Sequence, residues 1–394
     1  MLARPVLDRV HWVGAQDPDR TVFDALIPLP HGTTYNAWYV QGSERAALID
    51  SVEPRFGEQL MERLEGLGAD PEILVSNHAE QDHSGMLPAL VERFPRATVL
   101  CTPKAAAMLP DLLGLDPARI RTVADGEEVS LGDRSLRFLH APWVHWPETM
   151  LTYMPEQGVL FPCDLFGSHF ASNTAWASQA VGVLREAKRY YATIMMPFTK
   201  PIGKHLDRLD ALDIRTICPS HGPSWDEPRV IMDAYRDWTS GPMRDRVVIA
   251  YVSMHESTRK MALHLEDRLF ANGTAVDVFD LEKVDLGMVA AAAVDAATVL
   301  IGTPTVLGGA HPLAVSAAYL IGLLKPRTRW IGLFGSHGWA GRAIPHLEKL
   351  LENVRCERLD PVGIQGFPRE GALAAMDGLA EQIIARHATL TPQG

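Results

Sequence analysis

Short apolar segments recur through the first 240 residues, and turn-forming or polar residues follow each of them. Clear examples are residues 46–50, 73–76, 97–100 and 159–161. Apolar runs of this length, bounded by such residues, are typical of buried strands, and helical patterns lie between them. The pattern predicts a sandwich of sheets flanked by helices.

The pattern changes after the polar stretch at residues 237–242, where strands begin to alternate regularly with helices. Strands are predicted at 246–252, 275–279, 298–302, 329–334 and 357–363, with amphipathic or Ala-rich helices between them and a last helix at 370–386. Five parallel strands joined by helices form a doubly wound α/β unit. Because 394 residues exceed the size of one ordinary core, we expect two domains, residues 1–242 and 243–394.

Composition and charge narrow the class of protein. Hydrophobic residues make up 47% of the chain and charged residues 22%, as in an ordinary globular protein. The net charge of −11 argues against binding to nucleic acid or to an anionic membrane surface. The N-terminal residues lack the apolar core of a signal peptide, and Asp295 interrupts the Ala-rich stretch around Met288. We therefore expect a cytoplasmic protein without a membrane segment.

The four cysteines are Cys101, Cys163, Cys218 and Cys356. They lie far apart and form no C-x-x-C pair, so the chain encodes no rubredoxin-type or zinc-ribbon module of its own. In a cytoplasmic protein such cysteines are expected to be reduced thiols.

The stretch His78-Ala79-Glu80-Gln81-Asp82-His83 carries four side chains that can bind a metal. It follows the apolar run 73–75, which is predicted to be a buried strand. In an extended chain alternate side chains share a face, so we expect His78, Glu80 and Asp82 to point the same way, with His83 opening the next helix. Three further candidates also follow apolar or Pro/Gly-bounded segments, namely His145, Asp164 and His221.

This stretch resembles the H-x-[EH]-x-D-H signature of the metallo-β-lactamase superfamily. Zinc hydrolases of that superfamily usually have His where this chain has Glu80, whereas the flavodiiron proteins have Glu. The resemblance to flavodiiron proteins covers nearly the whole chain. It implies an N-terminal metallo-β-lactamase-like αββα sandwich followed by a flavodoxin-like doubly wound sheet with five parallel strands.

The same resemblance implies a diiron centre. One iron would bind His78, Glu80 and His145, the other would bind Asp82, His83 and His221, and Asp164 would bridge them. Members of the family differ in whether the histidine equivalent to His83 binds iron directly. The charges fit independently of the family, because three carboxylates and one bridging hydroxide would neutralise two divalent irons. Imidazole and carboxylate ligands suit iron or manganese, although ligand type alone does not exclude zinc.

The second domain is expected to bind flavin mononucleotide (FMN) at the carboxyl ends of its strands. A hydroxyl-rich loop at the first strand–helix junction can surround a phosphate, and two later loops resemble those that hold the isoalloxazine ring in flavodiiron proteins. The predicted contacts are Ser253, Met254, His255, Glu256, Ser257, Thr258, Thr303, Pro304, Thr305, Val306, Leu307, Gly308, Ser336, His337, Gly338, Trp339 and Gly341. His255, Glu256, Leu307, Gly308 and His337 depart from the residues common in the family. Glu256 would weaken phosphate binding unless its side chain turns to solvent.

The resemblance implies an oxidoreductase that reduces O₂ to water, NO to N₂O, or both, with a separate rubredoxin-like protein or another external donor supplying the electrons. It also implies a head-to-tail homodimer or a homotetramer. Two other functions are open at this stage: a metallo-β-lactamase-type hydrolase with an appended flavodoxin module, and a non-catalytic electron-transfer protein whose N-terminal domain binds no metal.

Overall fold

The structure, a computed structural model, describes residues 2–390. These residues divide into two units, one containing the residues up to 191 together with 198–239, the other containing 192–197 together with the residues from 240 onward. A domain boundary between residues 242 and 243 stays a prediction. Among the described residues, no helix combines the length and apolar character needed to cross a bilayer.

The N-terminal unit is built on two sheets. Its strands are β1 (Arg4–Leu7), β2 (Val10–Trp12), β3 (Ala15–Asp17), β4 (Val22–Phe23), β5 (Ile27–Pro28), β6 (Thr33–Tyr35), β7 (Trp38–Gln41), β8 (Ala46–Ile49), β9 (Ile73–Val75), β10 (Thr98–Cys101), β11 (Ile120–Thr122), β12 (Glu128–Ser130), β13 (Ser135–His140), β14 (Met150–Met154), β15 (Val159–Phe161) and β16 (Thr216–Ile217). One sheet has the order β1-β2-β7-β8-β9-β10-β11 and the other β12-β13-β14-β15-β16, while β3 pairs with β6 and β4 with β5.

Helices cover these sheets. They are α1 (Gly57–Gly66), α2 (Gln81–Ser84), α3 (Leu87–Arg93), α4 (Pro103–Leu113), α5 (Val183–Tyr190), α6 (Thr199–Leu209) and α7 (Pro228–Ser240). Short 3₁₀ turns lie at Pro54–Phe56, Pro117–Arg119 and Ala177–Gln179. Residues 192–197, which belong to the other unit, contain most of a π-helical turn at Tyr191–Met195 and of a 3₁₀ turn at Met196–Phe198.

Strand β8 shows why the sheets stack as they do. Ala46 and Leu48 belong to the core between the first sheet and its helices. Ala47 and Ile49 belong to the core that joins the first sheet to the second. Alternate side chains of a strand point to opposite faces, so a fully apolar strand is buried on both sides. The predicted αββα sandwich is confirmed.

The C-terminal unit is a doubly wound sheet. Its strands are β17 (Arg244–Tyr251), β18 (Ala275–Asp280), β19 (Ala296–Val306), β20 (Gly309–Ala310), β21 (Trp330–His337), β22 (Glu357–Arg358) and β23 (Val362–Gln365). Its helices are α8 (Ser257–Ala271), α9 (Leu286–Ala293), α10 (Pro312–Leu324), α11 (Ala343–Leu350) and α12 (Glu370–His387). The order β18-β17-β19-β21-β22 is that of flavodoxin-like sheets, and all neighbours along it are parallel.

The fifth predicted strand is divided in two. Strand β22 pairs with the start of β21 and β23 pairs with its end. Pro361, which has no N–H to donate to the ladder, lies in the interruption between them. The predicted five-stranded architecture is otherwise confirmed.

Candidate functional site

The seven candidate metal ligands lie in segments between strands of the N-terminal unit, five of them on loops and two, Asp82 and His83, in helix α2. His78 and Glu80 follow β9, and Asp164 follows β15. His145 lies between β13 and β14, and His221 follows β16. Strand ends are rigid supports, so side chains on the adjoining loops are held in a fixed arrangement.

Four of these residues form a first group: His78, Glu80, His145 and Asp164, whose ligand atoms all lie within 4.8 Å of one another. Oε2 of Glu80 is 3.1 Å from Nε2 of His78 and 3.3 Å from Nε2 of His145. Oδ2 of Asp164 is 3.6 Å and 3.5 Å from the same two nitrogens. Two imidazoles and two carboxylates thus converge on one point.

Asp82, His83 and His221 form a second group. The two oxygens of Asp82 lie 3.3 Å from Nε2 of His83 and 3.3 Å from Nε2 of His221. Oδ1 of Asp164 is 3.1 Å from His83 and 3.4 Å from His221. Asp164 therefore directs Oδ2 to the first group and Oδ1 to the second.

The expectation of a continuous extended segment was wrong for Asp82. The backbone is extended at Glu80, but helix α2 begins at Gln81 and contains both Asp82 and His83. This change of conformation separates the ligands. His78 and Glu80 belong to the first group, and the helical residues belong to the second.

The two groups fit bound cations. Both side-chain oxygens of Asp82, and Oδ2 of Asp164, are buried and accept no hydrogen bond from the residues that the structure describes. A buried carboxylate oxygen without a partner is costly, and a coordinated cation removes that cost. The mixture of nitrogen and oxygen donors suits iron, manganese or zinc.

The pKa values follow from the same geometry. Burial acts to lower the pKa of His83, but the charges of Asp164 and Asp82 outweigh it and raise that pKa to about 10. Burial also acts to lower the pKa of His78. Hydrogen bonds to Glu148 and Glu80 outweigh burial and raise that pKa well above its usual value. Protons and metal cations therefore compete for the same nitrogens, and metal binding is expected to release protons.

Cys163 is adjacent to Asp164 and forms a third grouping with His83 and Asp164. Burial, followed by the charge of Asp50, raises the pKa of this thiol well above its ordinary value. The thiol also accepts a hydrogen bond from the hydroxyl of Ser220 at 3.3 Å. The Ser220 hydroxyl thus holds the thiol, and the predicted ligands stay the imidazoles and carboxylates.

Several contacts around the ligands were not predicted. Oε1 of Glu148 lies 2.7 Å from Nδ1 of His78 and accepts the backbone N–H of Ala79 at 3.0 Å. Burial acts to raise the pKa of Glu148, but the hydrogen bond from His78 outweighs it and lowers that pKa. The hydroxyl of Tyr190 donates to Oδ1 of Asp164 at 2.9 Å.

A second set of contacts surrounds His221. Its Nδ1 donates to the backbone carbonyl of Thr34, and Oγ1 of Thr33 lies 2.9 Å from Nδ1 of His169. The ring of Phe23 packs against His169 with centroids 4.4 Å apart. Burial, then the neighbouring charge of His221, holds the pKa of His169 well below its usual value, so this imidazole is neutral.

In the C-terminal unit, a pocket of about 270 Å³ opens where the three predicted flavin loops meet. Of the predicted contacts it is lined by Ser253, Met254, His255, Ser257, Thr258, Pro304, Thr305, Ser336, His337 and Gly338. Thr303 and Gly341 line a smaller adjoining cavity. Gly366 and Phe367, which were not predicted, complete the larger pocket. They follow β23, and the Gly and Pro of residues 366–368 are the loop signal that could have pointed to them.

One end of this pocket fits a phosphate. Oγ of Ser253 is buried and has no hydrogen-bond partner among the described residues. Helix α8 begins beside it, and no side chain within residues 2–390 caps its N-terminus, so its first N–H groups can bind an anion. Glu256 is mostly exposed and pairs with Arg259 at 3.0 Å. Its carboxylate therefore turns to solvent, as phosphate binding at this loop requires.

Five predicted flavin residues do not line either cavity: Glu256, Val306, Leu307, Gly308 and Trp339. Leu307 is fully exposed, and Trp339 is 70% exposed. Their roles stay predictions.

Comparison with known proteins gives consistent results. A family model described as "ODP family beta lactamase" matches residues 33–222. The nitric oxide reductase of Moorella thermoacetica is 38% identical over 393 residues, which cover 97% of this chain and 98% of that protein. The structure of rubredoxin oxygen:oxidoreductase from Desulfovibrio gigas has a TM-score of 0.92 at 27% identity and covers 98% of each chain. The flavodiiron protein from Giardia intestinalis has a TM-score of 0.92 at 28% identity, covering 99% of this chain and 98% of that one.

Proposed function

The chain belongs to the flavodiiron protein family, and on that premise we propose that it is an oxidoreductase that reduces O₂ to water, NO to N₂O, or both. The observation that carries the proposal is the position of Asp164. This one buried carboxylate faces the first group of ligands through Oδ2 and the second through Oδ1. Such an arrangement suits two metals that act on one small molecule.

We assign the residues as follows. Residues 1–242 form the diiron domain and residues 243–394 the FMN domain. His78, Glu80 and His145 would hold one iron, Asp82, His83 and His221 would hold the other, and Asp164 would contribute to both. When bound, two ferrous ions supply two electrons and reduced FMN two more, which together match the four electrons of O₂ reduction and exceed the two needed to convert two NO to N₂O.

The protein itself contributes position and electrostatics. Its four imidazoles and three carboxylates carry a charge of about −3, which together with one hydroxide would be neutralised by two divalent cations. Asp82, His83, Asp164 and His221 are buried, and this excludes bulk water from the second group. The hydroxyl of Tyr190 holds Asp164 through Oδ1, so the bridging carboxylate keeps one orientation during turnover.

In the FMN domain, Ser253 and the free N–H groups at the start of α8 would bind the phosphate of FMN. Loops at the ends of β19 and β21 would hold the ring. Gly341 lies so close to the His337 ring that a Cβ there would be 3.2 Å from Cε1, so Gly341 allows the loop to fold back over this imidazole.

Residues 1–394 contain four separate cysteines and no C-x-x-C pair, so they include no rubredoxin-type module. We propose that a rubredoxin-like protein or another external donor supplies the electrons. We further propose a head-to-tail homodimer, or a homotetramer made of such dimers, in which the flavin of one subunit serves the metals of another.

Relatives of this chain are named reductases, and Glu80 stands where zinc hydrolases have His. The reductase function is therefore favoured over that of a hydrolase with an appended flavodoxin module. The presence of both ligand groups likewise disfavours a non-catalytic electron-transfer protein.

The test is an anaerobic turnover assay with O₂ and NO supplied separately, using one reduced donor and protein of known iron and FMN content. We expect consumption of at least one gas. Asp164→Asn should abolish it, whereas the exposed Asp213→Asn should not. Consumption of neither gas by fully loaded protein would contradict the proposal.

A further inference from the structure

Glu148 makes the two metal positions chemically unequal. His78 presents Nε2 to the first group, 3.1 Å from Glu80, while its Nδ1 lies 2.7 Å from Oε1 of Glu148. A ring nitrogen that binds a metal carries no proton, so the proton of a neutral imidazole resides on the other nitrogen. The Nδ1–H of His78 therefore donates to Glu148.

Glu148 is held in place for this role. Its side chain is fully buried, and Oε1 also accepts the N–H of Ala79 at 3.0 Å. Its backbone carbonyl accepts the hydroxyl of Thr102 at 2.7 Å. Oε2 has no hydrogen-bond partner within residues 2–390. Both hydrogen-bond donors to the Glu148 carboxylate thus come from residues 78–79, the segment that carries the candidate ligand His78.

The His78 ring is fixed from its other sides as well. Trp146 packs edge-on against it with centroids 5.0 Å apart, and Oγ1 of Thr149 lies 3.5 Å from Nδ1. The ring can neither turn over nor exchange its two nitrogens without breaking the bond to Glu148.

The second ligand group has no such carboxylate partner among the described residues. Nδ1 of His221 donates to a backbone carbonyl, that of Thr34. Nδ1 of His83 has no hydrogen-bond partner in the described part of the chain. Each metal position has one carboxylate of its own, Glu80 or Asp82, and both share Asp164. Glu148 is a further carboxylate that hydrogen-bonds a ligand of the first group, whereas the buried Asp50 acts on His83 of the second group through its charge alone.

We propose that Glu148 is a positioning residue that fixes the tautomer of His78 and makes the metal held by His78, Glu80 and His145 the tighter-bound and more easily oxidised of the two. This inference rests on the proposed function for the identity of the metal. The physical reason is that a carboxylate acceptor increases the basicity of a ligating imidazole, and that negative charge stabilises the higher oxidation state of the cation.

The test uses Glu148→Gln in the FMN-loaded, ⁵⁷Fe-loaded full chain. Gln keeps an oxygen that accepts from His78 and Ala79 but removes the charge. We expect iron affinity at the first position to fall about 10–100-fold in chelator competition, with the second position unchanged. Anomalous diffraction at the iron edge identifies the vacated position. In a redox titration followed by Mössbauer spectroscopy, one of the two irons of the variant should have a higher midpoint potential than in the native chain.

The matched control is Glu186→Gln. Glu186 is a buried carboxylate 3.6 Å from His31 and lies outside both ligand groups, so its variant should leave iron affinity and potential unchanged. Equal effects on both irons, or no effect of Glu148→Gln on affinity and potential, would overturn the proposal.

A second measurement does not depend on the variant. In the native chain loaded with Zn²⁺ and labelled with ¹⁵N-histidine, long-range ¹H–¹⁵N spectra should show His78 protonated at Nδ1 and protected from exchange. Protonation at Nε2 would contradict the inference. Because these readouts are affinity, potential and tautomer, the inference can hold in a protein that turns over neither gas.

Discussion

The hydroxyl of Tyr190 donates a hydrogen bond to Oδ1 of Asp164 at 2.9 Å, which joins helix α5 to the carboxylate shared by both ligand groups. Removing this hydroxyl in Tyr190→Phe preserves the ring, which packs 4.8 Å from His169. A hydrogen bond to a charged group contributes about 1.5–3 kcal/mol. We expect the variant to fold and to bind iron at least about tenfold more weakly, as measured by chelator competition.

The matched control is Tyr153→Phe, whose hydroxyl donates to the backbone carbonyl of Asp213 at 3.0 Å, away from the ligands. It should bind iron as the native chain does. If Tyr190→Phe bound iron as tightly as the native chain, the hydrogen bond from Tyr190 to Asp164 would not contribute to iron binding.

The two ligand groups should lose their metals separately. Glu80→Ala removes a ligand from the first group only, and Asp82→Ala removes one from the second only. Elemental analysis should therefore find about half the native iron in each variant, whereas Asp164→Ala should lose most of both. Retention of full iron in Glu80→Ala would be incompatible with our assignment.

Ser253→Ala should weaken FMN binding without lowering the thermal stability of the metal-loaded, FMN-free chain. The hydroxyl of Ser253 is buried without a partner among the described residues, and such a group costs about 1–3 kcal/mol. Its removal should leave the FMN-free chain equally or more stable to heat. FMN affinity should fall about tenfold or more, because a hydrogen bond to a charged phosphate is lost.

Fluorescence titration with FMN measures the affinity. Ser316→Ala is the control, because that exposed hydroxyl donates to the backbone carbonyl of Pro312 on α10. An FMN affinity unchanged in Ser253→Ala would place the phosphate elsewhere.

Gly222→Ala should disturb His221 through the backbone. Gly222 has φ +81°, and a Cβ there would overlap Oγ of Ser168. The left-handed backbone costs a non-glycine residue about 1–2 kcal/mol, and overpacking adds about 1–3 kcal/mol. We expect a lower melting temperature and less bound iron.

Gly114→Ala separates these two causes. Gly114 also has positive φ, +67°, but a Cβ there would meet no atom of the described residues within 4 Å beyond its own chain neighbours. It should show only the backbone cost and retain its iron. If both variants lost stability equally, packing against Ser168 would not matter.

Acid should destabilise the N-terminal unit partly through His205. Burial lowers the pKa of this imidazole, whose Nε2 lies 3.2 Å from the carbonyl oxygen of Pro142. Below a pH of about 6.5 the unfolded chain binds a proton that the folded chain excludes, so stability falls as pH decreases, by at most about 1.4 kcal/mol per pH unit. His205→Gln should reduce this slope in urea unfolding between pH 7.5 and 5.5.

The exposed His346→Gln, on α11, serves as the comparison and should keep the native slope. If His205→Gln kept the native pH dependence of stability, the pKa of His205 would be the same in the folded and the unfolded chain.

The parts of the molecule that could be predicted carry local signals. Ile73–Val75 alternates its side chains between two cores, and pattern and family resemblance selected candidate metal ligands that the fold brings together. The candidate phosphate loop also had a local signal, because hydroxyl residues precede a helix. Two predicted ring contacts, Leu307 and Trp339, are instead mostly exposed and line neither of the two flavin-site cavities.

Contacts between distant segments had no such signal. Glu148 is 70 residues from His78, and Tyr190 is 26 residues from Asp164. Each is an ordinary residue in its own neighbourhood, and only the folded chain brings it to a ligand. His169 was visible as a histidine, but its link to Thr33 depends on pairing across 136 residues.

The change from extended to helical backbone at Gln81 has a consequence for the two ligand groups. The N–H groups of His83 and Ser84 donate to the carbonyl of Glu80 at 3.1 Å and 2.9 Å, so one covalent segment sets the offset between the two ligand groups. The offset between Glu80 and Asp82 is thus fixed within six consecutive residues, 78–83. We expect changes elsewhere in the fold to leave this offset unchanged.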